Sequence, residues 1–172
     1  LAQECLVLLS EAHRDLHFVF APDRSLPSLE IDREGMRRVI RNLLDNAVAA
    51  CRIRGNGVSD GISGRIEVTT RYIQPVGIAR IEIADDGSGI PAQMKERLFE
   101  PYFSTKKEGT GLGLAIVAAI VADHQAFIRV RDNTPRGSRF VIEMPVRRNV
   151  RVASTMPDTP LFGADEDATR AI

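Results

Sequence analysis

Two glycine-punctuated runs carry the residues best suited to chemistry: Asp85-Asp86-Gly87-Ser88-Gly89-Ile90 and Gly109-Thr110-Gly111-Leu112-Gly113-Leu114. Each leads towards a helix. Glycine lets backbone approach a ligand closely and take φ > 0. A glycine loop that opens a helix offers free N–H groups and a positive dipole end, which suit a phosphate. The first run begins with a carboxylate at the end of an apolar strand, placed to accept a hydrogen bond from an exocyclic amine such as that of adenine. Capping its own turn is the plainer role for an Asp before Gly. The second run opens a helix that could hold a polyphosphate. Together they suggest a nucleotide pocket.

Asn42 and Asn46 are the next candidates. Asn is a mediocre helix former, and these two lie four apart, on one edge of a helix face. They read either as solvent-facing polar residues or as oxygen donors for magnesium, which prefers hard oxygen ligands and keeps several waters. Lys106 and Lys107 lie in a polar stretch and read either as phosphate-neutralising cations or as a solvated pair. Phe99, Tyr102 and Phe103 flank Pro101 and can pin a loop to a core. His13, His17 and His124 show no partner pattern.

These residues need elements to position them. Leu1 to Ser10 reads as the end of a helix, Leu16 to Phe20 as a strand, and Leu29 to Ile31 as a short second strand. Asp32 is a helix cap with Glu34 in the first turn. From Met36 the apolar positions Val39, Ile40, Leu43, Leu44, Ala47 and Val48 keep helical periodicity with a wide buried face. Arg52 to Gly64 reads as a loop. Arg65 to Tyr72 alternates, with Ile66, Val68, Thr70 and Tyr72 on one side, and Ile78 to Ala84 alternates into Asp85. Pro91 suits the first turn of a short helix through Leu98. Leu112 to Asp123 is apolar nearly all round, hence a buried helix. Phe127 to Val130 and Ser138 to Val146 close the pattern as strands. This order departs from strict βαβ alternation and points to an α+β two-layer sandwich rather than a doubly wound sheet.

Composition narrows the function classes. The 172 residues carry 23 basic and 23 acidic side chains and 44% hydrophobic content. That is enough for one core, with a tail, and no basic block favours a nucleic-acid partner. Cys5 and Cys51 sit in apolar helical contexts and read as reduced core residues of a cytoplasmic protein. No apolar stretch reaches membrane-spanning length. Residue 1 is Leu rather than Met, which reads as a piece of a longer chain that could be membrane-anchored elsewhere. The expected division is 1–14 as the end of an upstream helix or linker, 15–147 as the nucleotide-binding domain, and 148–172 as a tail.

The residues also carry a resemblance. Asn42-Leu43-Leu44-Asp45-Asn46-Ala47 resembles the N box of bacterial sensor histidine kinases. Asp85 to Ile90 resembles their first glycine box, Leu98 to Phe103 their F box, and Gly109 to Leu114 their second glycine box. The four appear in the family's order and spacing, over about Leu16 to Val146. The Ser104-Thr105-Lys106 stretch and the short lid resemble nitrogen-regulation kinases.

The resemblance implies the ATP-binding fold shared with gyrase, mismatch-repair ATPases and a heat-shock chaperone: a mixed, mostly antiparallel sheet with helices on one face. By position, Asn42 and Asn46 are the implied catalytic pair, and Asn46 holds magnesium. Asp85 reads adenine. Gly87, Gly89, Ile90, Phe99, Thr105, Lys106, Lys107, Gly109, Thr110, Gly111, Leu112 and Gly113 complete the implied ATP site. The implied activity is transfer of the ATP γ-phosphoryl group to a histidine on dimerisation helices outside this chain. The implied partners are those helices, a second copy in a homodimer and a response regulator. No phosphoacceptor motif is present. Two departures stand out: Ala49 replaces a common basic residue three after the second Asn, and Asp86 replaces a usual Asn. An ATPase or a nucleotide-sensing module of the same fold is the alternative.

Overall fold

The structure is a computed structural model that describes residues 1–55, 64–103 and 110–146. Its elements run α1 (Ala2–Ala12), β1 (Leu16–Ala21), α2 (Arg33–Gly55), β2 (Gly64–Ile73), a 3-10 turn (Gln74–Val76), β3 (Ile78–Asp85), α3 (Ala92–Lys95), α4 (Gly113–Asp123), β4 (Phe127–Asp132) and β5 (Ser138–Pro145). One sheet has the order β1-β2-β3-β5-β4. β1 pairs parallel with β2, and the remaining pairs are antiparallel. The α+β sandwich with a mixed, mostly antiparallel sheet is therefore as expected.

Strand alternation produces the two faces. Ile66 and Val68, Ala79, Ile81 and Ile83, and Phe140, Ile142 and Met144 point into one core with the α2 residues Met36, Val39, Ile40, Leu43, Leu44, Ala47 and Cys51. The opposite positions carry charge. Arg80 and Arg129 both reach Glu143, at 2.6 and 2.8 Å, and Arg139 reaches Glu82 at 2.7 Å. Period-two alternation puts one set in the core and pairs the charges of the other on the opposite face, where Glu82 and Glu143 are themselves half-buried.

Asp32 caps α2 as expected, with Oδ1 accepting the Glu34 N–H at 3.0 Å. Three expectations change. Leu29 to Ile31 forms no strand; the next N–H along the segment, that of Asp32, donates to His124 Nε2 at 3.0 Å instead of to a strand edge. His124, which showed no partner pattern in sequence, ties the C-terminal end of α4 to the start of α2. Its Nδ1 stands 2.7 Å from the Ile120 carbonyl oxygen. α4 is also less buried than its composition suggests: only Val117 and Val121 are buried, while Ala119 and Ala122 are exposed. One i, i+4 stripe packs against the body of the domain, and alanine is small enough to tolerate water on the other side. Finally, the loop expected from Arg52 begins later, because α2 continues to Gly55.

α1 shares the core through Cys5 and Leu6. The expected tail at 148–172 lies outside the described residues.

Candidate functional site

β3 ends at Asp85, and the end of a core strand explains the burial of its side chain, which is 2% exposed. Carboxylate Oδ1 accepts the Gly87 N–H at 2.9 Å and the Ser138 N–H at 3.3 Å; Oδ2 receives neither. Burial pushes the carboxyl up to about 6, more than these two hydrogen bonds hold it down. A carboxylate kept in such a place at a structural cost is a candidate for function. The capping role is also visible in the Gly87 bond.

A cleft of about 420 Å³ opens beside Asp85. α2 lines it with Asn42, Asp45, Asn46, Ala50 and Ile53; the first glycine loop adds Ser88, Gly89 and Ile90. Leu98 and Phe103, Thr110 and Gly111, Gly113 and Leu114, and Ser138 and Phe140 of β5 complete the wall. Helical spacing aligns Asn42, Asn46 and Ala50 on one side of α2. A wall that combines apolar side chains with amide, hydroxyl and backbone groups suits a ligand with an apolar part and a polar part.

Asn42 has a defined orientation. Its Nδ2–H donates to the Arg38 carbonyl at 2.8 Å. Its Oδ1 faces the first residue of α4: a Cβ on Gly113 would stand 3.0 Å from it. The N-terminal end of α4 thus opens onto the cleft with no side-chain cap at Leu112, which leaves its first N–H groups for a ligand or water.

Eight sequence candidates meet in this cleft: Asn42, Asn46, Asp85, Gly89, Ile90, Thr110, Gly111 and Gly113. Gly87, Phe99 and Leu112 do not line it. Gly87 serves packing instead: a Cβ there would stand 2.5 Å from the Ala50 carbonyl carbon and 2.7 Å from Cys51 N. The Ser88 N–H donates to the Ala50 carbonyl at 3.1 Å, so the first glycine loop is seated directly on α2. Gly89 (φ 74°) does line the cleft, and Gly111 (φ 67°) packs on the backbone of Tyr102. Thr105, Lys106, Lys107 and Gly109 lie outside the described residues.

Asp86 does not add charge to the cleft wall. Its Oδ1 accepts the Arg65 N–H at 2.8 Å and lies 3.6 Å from Cys51 Sγ. Burial, with Asp85 and Asp86 nearby, pushes the Cys51 thiol up to about 12, so it is a protonated core group. Sequence reasoning missed Ser138 and Phe140; only the i, i+2 alternation after Gly137 marked them, as ordinary inward strand residues.

This geometry matches known proteins. The model of the histidine kinase-, DNA gyrase B- and HSP90-like ATPase family matches residues 31–148. The sensor histidine kinase ZraS of Escherichia coli O157:H7 is 37% identical over 133 residues, 77% of this chain and 27% of ZraS. The sensory histidine kinase/phosphatase NtrB of Azospirillum brasilense is 33% identical over 139 residues, 77% of this chain and 34% of NtrB. The chain thus spans about a quarter to a third of these relatives. The solved catalytic domain of histidine kinase ThkA superposes with a TM-score of 0.71 at 32% identity, covering 84% of this chain and 90% of that one. A structure of ThkA in complex with the response regulator TrrA gives 0.67 at 29% identity, covering 84% and 39%. By the family model over residues 31–148 and by these likenesses, the chain belongs to the histidine kinase-, DNA gyrase B- and HSP90-like ATPase family and has the fold of a histidine-kinase catalytic domain.

Proposed function

We propose that this domain clamps ATP so that a histidine on dimerisation helices of the same protein takes its γ-phosphoryl group, for relay to a response regulator. The observation that carries the reading is the buried Asp85 carboxylate in a cleft that also takes in Asn42, Asn46 and the start of α4. Asp85 accepts the adenine amine. Gly113 and its neighbours approach the phosphates. Phosphoryl transfer rests on positioning and charge neutralisation, and the acceptor and base come from outside this chain. A homodimer supplies the acceptor helices, and the similarity to NtrB favours the nitrogen-regulation type of kinase.

Magnesium fits the donors at hand. Among the described residues no cluster of three histidines, cysteines or carboxylates could cage a metal. Asn46 and Asn42 instead offer neutral amide oxygens on the cleft wall. That suits an ion that keeps its waters and takes most of its charge balance from phosphate. Asn46 would hold it and Asn42 would support its shell; the ion would draw charge from the β- and γ-phosphates.

Calorimetry with MgATP tests the reading. Binding to the 172-residue chain is expected, with no acid-labile phosphate on the chain alone and transfer restored by a fragment carrying the dimerisation helices. No binding, or self-labelling of this chain, overturns it.

The same site makes hydrolysis slow. The position four before the magnesium Asn holds Asn42, whose Nδ2–H is spent on the Arg38 carbonyl. A neutral amide cannot take a proton from water. Steady-state hydrolysis on the order of one turnover per hour is expected, the range of poorly activated water attacking a phosphate. Fast turnover abolished by Asn46→Ala would favour an ATPase that uses nucleotide to drive a conformational change.

A further inference from the structure

The β3–β5 ladder stops at Ala84 opposite Arg139. One residue further, the Asp85 carbonyl points to the β5 side with no strand partner. The side chain of Asn133, 48 residues away in the β4–β5 turn, fills that place: its Nδ2–H donates to the Asp85 carbonyl at 2.8 Å. Asn133 is itself fixed at two points. Its backbone N–H donates to the Gly137 carbonyl at 3.0 Å, and its Oδ1 accepts Arg139 Nη2–H at 3.0 Å. Arg139 Nη1 in turn pairs with Glu82 at 2.7 Å. Gly137 (φ 94°) lies against the same Asp85 carbonyl, so close that a Cβ would overlap it. The next residue, Ser138, donates its N–H to Asp85 Oδ1.

The turn therefore grips Asp85 at both ends, main-chain carbonyl and side-chain carboxylate. An unpartnered carbonyl at a buried strand end would be costly, and a partner that competes for it would let the peptide rotate. Rotating this peptide moves the carboxylate that faces the cleft. We infer that Asn133 is a positioning residue for base recognition: the Glu82–Arg139–Asn133 chain holds Asp85 in the orientation that distinguishes an aminopurine from an oxopurine. The inference rests on the ATP reading above, and it assigns the selectivity of that site to a turn outside the glycine and asparagine boxes.

The test uses the 172-residue chain and three variants. Asn133→Asp keeps size and can still accept from Arg139, but an ionised carboxylate cannot donate to the Asp85 carbonyl. Asn133→Ala removes both bonds. Arg139→Gln, on the charged outer face, loosens Asn133 without touching Asp85. Calorimetry with ATP and GTP from pH 5 to 8 reads affinity, the ATP/GTP ratio and the pH midpoint of ATP binding. The titratable groups next to the Asp85 carboxyl are Asp86 and the Cys51 thiol, and both are left in place.

ATP affinity is expected to fall about fivefold to tenfold in both Asn133 variants, the size of one lost hydrogen bond. The ATP/GTP ratio should narrow and the pH midpoint move. Arg139→Gln should follow in the same direction with a smaller change. A merely structural residue would lower the melting temperature and leave selectivity and midpoint where they were. That result, or Asn133→Asp within twofold of wild type on all three readouts, overturns the inference. Should the Asn133 variants not fold, an Arg139→Gln protein with wild-type selectivity and midpoint overturns it equally. The nucleotide reading has its own controls: wild-type binding of ATP, and its loss in Asp85→Asn, stand or fall independently of Asn133.

Discussion

Asp85→Asn is expected to bind ATP at least tenfold more weakly than the wild-type domain while unfolding at a higher temperature at pH 7. The two effects share one cause. Burial raises the carboxyl from 3.8 to about 6, so at neutral pH the folded domain holds an ionised group that would rather be in water. A displacement of about two pH units corresponds to about 3 kcal/mol at neutral pH. The native state binds more protons than the unfolded state between about pH 4 and 6. This group's contribution to stability is therefore fully present below about pH 4, falls as pH rises through the window, and is at its worst above pH 6. An amide keeps the acceptor for the Gly87 and Ser138 N–H groups and removes the charge.

Binding runs the other way. In the proposed site the ionised carboxylate would accept the adenine amine, and such charge-assisted bonds are worth about 1.5–3 kcal/mol. The Asn amide presents a donor to that amine, so ATP loses more than GTP. ATP affinity of the wild type should also fall as pH drops below about 6, and Asp85→Asn should lose that dependence. Melting curves, and calorimetry with ATP and GTP, at pH 5 and pH 7 check these statements. Unchanged ATP affinity in the variant removes Asp85 from the base-reading role.

Gly87→Ala is expected to be the most destabilising single-methyl addition in the first glycine loop, by about 3 kcal/mol. The new Cβ would meet the Ala50 backbone and Cys51 N at 2.5–2.7 Å. Backbone cannot swing aside as a flexible side chain can, so the loop and α2 must separate. Ala50 lines the cleft and accepts the Ser88 N–H, and ATP affinity should fall with stability. Gly77→Ala is the control. Gly77 has φ 63° but nothing within 4 Å of a Cβ, so only the left-handed backbone penalty of about 1–2 kcal/mol applies. Urea unfolding of both variants decides it; equal losses would mean that backbone conformation, and not contact with α2, sets the need for Gly87.

The boxes were legible because their information is local. Asn42 and Asn46 stand one helical turn apart on a helix whose apolar stripe is plain. Asp85 follows an alternating strand, and Gly111 and Gly113 introduce an apolar helix. Each relation spans a few residues, where periodicity fixes geometry. The fold class followed from element order for the same reason. α4 was misjudged because composition cannot tell an alanine in the core from one facing water.

By itself, then, the sequence determined most of the elements, the four boxes and the carboxylate at the end of β3. Tertiary structure alone decided what those residues touch. It placed Gly87 against Ala50 and Cys51, so that a glycine expected to face a ligand is needed by α2. It brought Ser138 to Asp85 across 53 residues and Asn133 across 48. It set His124 on the Asp32 N–H across 92 residues, in place of the strand expected there. Such contacts depend on how strands order in a sheet and how a helix lies across it. No period in the chain encodes that order: it follows from burying all the apolar faces at once, and each polar group then takes the partner that the packing leaves within reach.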